Sequence, residues 1–150
     1  MDKLAKHKFV INVSAIVRFP KVGNRVIIQK RSVKEETNPG KWCIPGGKLD
    51  FEDGSVEAGV RREVKEELNI KIENIKLFES HVTHDQHENQ KIYLVFTADY
   101  KSGAIKIDTN EVETYTYVKN TKLPNGDEFI PFTKEILEDY FKREGEIKND

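Results

Sequence analysis

Apolar side chains at Phe9, Ile11, Val13, Ala15 and Val17 alternate with Asn12, Ser14 and Arg18. A period of two over residues 8–18 predicts a strand with one firmly buried face. After a turn at Pro20–Asn24, the run Val26-Ile27-Ile28 predicts a second, short strand over 25–30 that ends in Lys30 and Arg31. Further strand patterns lie over 72–83, over 91–100, where IYLVFTADY is the densest β signal, and over 113–118. Two segments change the period. Val56, Val60, Val64 and Leu68 recur at every fourth position, which predicts a helix over 56–68. Ser55 suits its N-cap, Glu57 the positive end of its dipole, and Asn69 a left-handed residue just past its last turn. Phe132, Ile136, Leu137, Tyr140 and Phe141 predict a terminal helix, with Thr133 as N-cap, Phe132 stapled against Leu137 and Gly145 as its stop. Residues 145–150 would then be a frayed tail.

Between these elements, residues 34–41 read as a loop, and Pro45-Gly46-Gly47 as a tight turn whose backbone can approach a ligand without a Cβ in the way. A length of 150 residues suits a single domain over 1–150, with no linker, internal repeat or low-complexity segment. Charged residues make up 34% of the chain yet balance to a net charge of -1, so no global basic field draws it to nucleic acid or membrane. A phosphate-rich partner needs a local site. Cys43 is the only cysteine, which excludes an intrachain disulfide and fits a reducing compartment; beside Trp42 and Ile44 it reads as buried packing. No run approaches the roughly 20 apolar residues of a membrane span, and the expected location is the cytoplasm. A monomer and a homodimer both remain open.

The chemistry concentrates in the first helix. A step of roughly 100° per residue places Glu63, Glu66 and Glu67 within one arc, one turn apart. Three carboxylates on one patch repel unless a cation sits among them. Hard oxygen ligands are what Mg2+ or Mn2+ prefers; the other reading of the same residues is a solvated acidic helix with Arg61, Arg62 and Lys65 as ordinary partners. His81, His84 and His87 have a spacing that admits zinc, but without a cysteine they read as a solvated hairpin or as lining for a substrate pocket.

The stretch GGKLDFEDGSVEAGVRREVKEELNI, Gly46 to Ile70, resembles the Nudix box, whose pattern is G-x5-E-x7-R-E-U-x-E-E-x-G-U with U a bulky aliphatic residue. Arg62, Glu63, Val64, Glu66, Glu67 and Ile70 fall on its positions in register. Two departures stand out: Asn69 replaces the final glycine, and the acidic turn holds one extra residue, so that the isolated glutamate position falls on Gly54 and passes to Glu52 or Asp53. Asp53 is favoured as the partner of Arg62, with Gly54 absorbing the insertion.

The resemblance implies an α+β fold, a mixed sheet in an α/β/α sandwich. It implies a hydrolase dependent on Mg2+, or Mn2+, that cleaves a diphosphate linkage in a nucleoside di- or triphosphate or a nucleoside diphosphate derivative by water attack at phosphorus. A nucleotide-sugar hydrolase and a non-catalytic nucleotide-binding module are the alternatives. It further implies metal ligands at Gly46 (through its carbonyl), Glu66 and Glu67, Glu63 as ligand or base, Arg62 as its positioning partner, and one more acid from Glu111 or Glu113. Arg31 joins these as a candidate phosphate contact.

Overall fold

The computed structural model of the chain describes residues 8–84 and 89–148, with side chains up to Gly145. Among them run β1 (Phe9–Phe19), β2 (Arg25–Arg31), β3 (Trp42–Cys43), β4 (Gly46–Lys48), α1 (Val56–Leu68), β5 (Lys71–His84), β6 (Gln90–Ser102), β7 (Val112–Val118) and α2 (Thr133–Lys148). β1 is the axis of a mixed sheet. It pairs in parallel with β6 along Phe9 to Arg18, and its other edge is shared between β4, antiparallel at Asn12 to Ser14, and β2 at Arg18 and Phe19. β5 extends the sheet beyond β6, while β3 and β7 flank β2.

The alternation of β1 feeds two cores rather than one. Val13, Ala15, Val17 and Phe19 meet Val60, Val64 and Leu68 of α1, while Ile16 joins Val26, Ile28 and Val95 under Leu137 and Tyr140 of α2. The expectation of one buried face is therefore corrected: Ile16 is as fully buried as Val13. Each such aliphatic side chain contributes roughly 1.5–3 kcal/mol by leaving water, which holds both helices against the sheet and fixes the α/β/α layering.

Three local expectations are also corrected. α2 runs through Gly145 to Lys148, since a glycine without a positive φ weakens a helix without ending it. Thr133 is the first helical residue, not the cap, and Phe132 before it has φ +73° and is 60% exposed, so it is no buried staple. Gly46 and Gly47 lie in a strand, neither with a positive φ; what they supply is the absence of a side chain. Among the described residues no helix is long and apolar enough to cross a membrane.

Candidate active site

The Ser55 hydroxyl accepts the Ala58 amide at 3.0 Å at the start of α1, and Asn69, at φ +61°, closes its end with its amide on the Lys65 carbonyl. These caps and the buried Val60, Val64 and Leu68 fix the rotation of the helix. Glu63 and Glu67 then fall along its border with β4, beside Gly47 and Gly46, while Glu66 points to Arg62 one turn away. Glu67 is 5% exposed. It accepts the Gly46 amide at 2.9 Å on one oxygen and the Gln29 side-chain amide on the other. Burial drives its carboxyl up to about 8; the two hydrogen bonds oppose the rise, and the charges of Glu63 and Glu111 add to it. Burial likewise raises Glu63, against the pull of Arg62. Glu66 is about half exposed.

Arg62 distributes its donors across the whole turn. Nε and Nη2 reach the two oxygens of Asp53 at 2.9 Å each, Nη2 also reaches the Lys48 carbonyl at 3.0 Å, and Nη1 reaches Glu63 at 2.9 Å and Glu66 at 3.2 Å. Hydrogen bonding to Asp53 is the main reason that the guanidinium is held firmly charged and the Asp53 carboxyl is drawn below its usual range. Glu52 stays exposed at the tip. The inserted residue is not taken up at Gly54, which has no positive φ. Instead the Asp53 amide donates to the Asp50 carbonyl at 3.0 Å, the Asp50 amide donates to the Asp53 carboxylate at 2.8 Å, and Phe51 loops out fully exposed.

A cleft of about 680 Å³ opens over this border, lined by Gly46, Gly47, Glu63, Glu67 and Glu111, with Arg31 among its cations. Glu111 comes from the approach to β7, its carbonyl fixed by the Ser32 amide at 2.9 Å, and burial and neighbouring acids raise its carboxyl. Neither Glu113 nor Glu66 is among the lining residues; Glu113 pairs with Lys30 at 3.8 Å, and Glu66 accepts Arg62 at 3.2 Å from the rim. That narrows the sequence choice to Glu111. Arg31 donates to the Thr37 carbonyl at 3.0 Å and to Glu35 at 3.2 Å, which ties the 34–41 loop over the cleft.

A second pocket of about 310 Å³ neighbours the cleft: Ser14 lines it, while Asn12, two positions earlier on the same face of β1, lines the cleft. It is mostly apolar, with Ile44, Tyr93, Val95 and Phe132 around it and His81 and Thr83 at its polar edge. His81 contacts Glu79 at 3.0 Å and His84 contacts Gln90 at 3.3 Å, whereas His87 lies outside the described residues.

Gln29 was not legible as a site residue. Its one signal is a polar residue at the end of an apolar strand run, and it is 2% exposed with its carbonyl oxygen unpartnered among the described residues. Cys43, its register partner, is buried as expected, and burial pushes its thiol up to about 12.

The NUDIX domain family matches residues 8–140. The chain belongs to this family. Its fold is shared with the MutT NUDIX hydrolase of Burkholderia pseudomallei, at TM-score 0.73 and 26% identity over 87% of this chain and 97% of that one. The NUDIX domain of Shewanella oneidensis NrtR, solved with ADP ribose, superposes at TM-score 0.76 with 19% identity, covering 95% of this chain and 93% of that one. Among curated proteins, the NAD-capped RNA hydrolase NudC of Photobacterium profundum is 38% identical over 77 residues, which is 47% of this chain and 28% of that protein. The match therefore spans less than a third of that relative's length.

Nudix hydrolases generally use divalent metal ions, and the residues present suit one. Among the described residues no three His, Cys, Asp or Glu side chains already converge as a cage; Arg62 bridges Glu63 and Glu66. The donor set is all hard oxygen, and Glu67 is a buried carboxylate whose charge its surroundings disfavour. Gly47 lets the Glu63 carboxylate lie close against the β4 backbone, because a Cβ there would stand 2.5 Å from it.

Proposed function

We propose that this Nudix chain is a divalent-metal-dependent hydrolase that cleaves a diphosphate linkage in a nucleoside di- or triphosphate, or in a nucleoside diphosphate joined to a second group. The observation that carries the reading is the crowding of Glu63, Glu67 and Glu111 on one cleft, with Glu67 nine-tenths buried and its carboxyl raised by burial and by the other two acids. Such crowding is costly without a cation. Glu66, Glu67 and the Gly46 carbonyl are assigned as the ligands of Mg2+, with Mn2+ as a substitute, and Glu63 as a further ligand or as the acceptor of the water's proton. The bound ion would neutralise bridging phosphate charge and activate water, as phosphoryl chemistry requires.

The chain's own residues do the rest. Arg62, pinned by Asp53, holds Glu63 in place; Gln29 and the Gly46 amide orient Glu67; Arg31, on the cleft wall and held by Thr37 and Glu35, is assigned as a phosphate contact. The neighbouring apolar pocket suits the nucleoside end, since its aromatic and aliphatic lining with a few polar groups is what a base and sugar require. The NudC relative is named for NAD-capped RNA and the NrtR domain was solved with ADP ribose. Both ligands carry a nucleoside diphosphate joined to a second group, which supports including that class. The test is a panel of nucleoside triphosphates, dinucleoside polyphosphates and nucleotide sugars incubated with Mg2+ and read by product analysis. Hydrolysis at a diphosphate bond in at least one of these classes is expected. Binding throughout the panel with no product would identify a non-catalytic module instead.

A further inference from the structure

One surface of the catalytic helix takes no part in the cleft. Arg61 and Lys65, on successive turns of α1, meet Lys71 at the start of β5 and Lys101 near the end of β6 around a depression of about 400 Å³, floored by Ile70. No acidic side chain lines it. Among the described residues none of these four cations takes part in an ion pair. Two of the four are already held by neutral partners: Arg61 donates to the Ile72 carbonyl at 2.7 Å and Lys65 to the Asn69 side chain at 2.9 Å. Their positions are thus partly fixed while their charge stays uncompensated, which lowers the ordering cost for an incoming anion.

We infer that this basic depression binds a chain of phosphates, such as the backbone of a single-stranded oligonucleotide. Cations contributed by a helix and by two strands can each meet a different phosphate of one chain. No aromatic side chain lines the depression. Base stacking therefore contributes nothing there, and recognition is of phosphate charge, independent of sequence. Arg62 also lines the depression while its donors reach into the carboxylate cluster, so the bound chain runs up to the edge of the cleft. The inference does not depend on hydrolysis.

The experiment is fluorescence anisotropy with a labelled single-stranded oligonucleotide, in chelator so that nothing turns over, at a series of salt concentrations. Four contacts predict a slope of log K against log salt of about -3. In the triple variant Arg61→Gln, Lys71→Gln, Lys101→Gln, affinity falls about tenfold or more and the slope drops to about -1. Folding is checked by circular dichroism, and Arg61→Lys retains most of the binding. Inorganic polyphosphate displaces the labelled strand. Turnover of a mononucleotide substrate, where present, is the same in wild type and triple variant, so a failed hydrolase assay leaves the binding result intact. Binding with unchanged affinity and slope in the triple variant overturns the inference, as does a strand that polyphosphate fails to displace.

Discussion

Arg62 and Asp53 lie nine positions apart in sequence and are joined by two parallel hydrogen bonds of 2.9 Å, with the Asp53 carboxylate only 7% exposed. The pair matters because Arg62 also holds Glu63, so a loosened Asp53 frees both. Replacing Asp53 by Asn removes the charge and one acceptor while keeping the shape. We expect Asp53→Asn to lower kcat roughly tenfold or more, as losses behind metal ligands do, with the circular dichroism spectrum unchanged. Glu52→Gln, at the exposed tip, leaves kcat near wild type. The opposite ranking would mean that the turn is aligned one residue off.

Gly47 offers a steric test of the same cluster. An alanine Cβ there would sit 2.5 Å from Glu63 Oε2, closer than real contacts allow, so the carboxylate must move. Gly47 has no positive φ, and alanine brings no backbone strain. Gly47→Ala is therefore expected to reduce kcat on the order of 100-fold while shifting Tm by only a few degrees. A variant with full activity would show that the position of Glu63 is not critical.

The layering was readable because both helices carry a 3.6-residue stripe and the strands carry a 2-residue one. Val60, Val64 and Leu68 are buried where that stripe puts them, and the Ser55 and Asn69 caps follow from side-chain chemistry that acts within four residues. Asp53 as the partner of Arg62 was also legible, since one turn has few acids to offer. What escaped was long-range. Gln29 reaches Glu67 from a strand 38 positions away, and nothing local marks a glutamine as the group that a buried carboxylate will need. Glu111 and Glu113 could not be separated, because only the β2–β7 register decides which one meets the cleft. The outcome at Gly145 shows the limit of reading stops from composition: packing of Leu137 and Tyr140 fixes α2, and the helix passes the glycine.

Glu67 sets the pH dependence of stability in metal-free protein. Its folded carboxyl is raised to about 8 from an ordinary value of 4.5, mainly by burial. A raised acid binds more protons folded than unfolded. The stability it contributes is therefore full below about pH 4.5 and is lost as pH rises toward 8. In chelator, Tm is expected to fall by several degrees across that window, and Glu67→Gln is expected to flatten the decline. Adding Mg2+ at pH 8 should restore Tm in wild type with release of protons, and should not do so in Glu67→Gln. Equal pH slopes in the two proteins would contradict this assignment.

The most direct measurement is product formation from the best substrate of the panel, in chelator, in excess Mg2+, and in Glu67→Gln with Mg2+. The buried carboxylate pinned between Gln29 and the Gly46 amide is assigned as a metal ligand, and the substitution keeps its shape while removing its charge. The prediction is no turnover in chelator, full recovery with Mg2+ or Mn2+, and a loss of at least 100-fold in Glu67→Gln, on the scale of first-order damage to a metal site. Turnover that persists in chelator, or a Glu67→Gln protein as active as wild type, would contradict it.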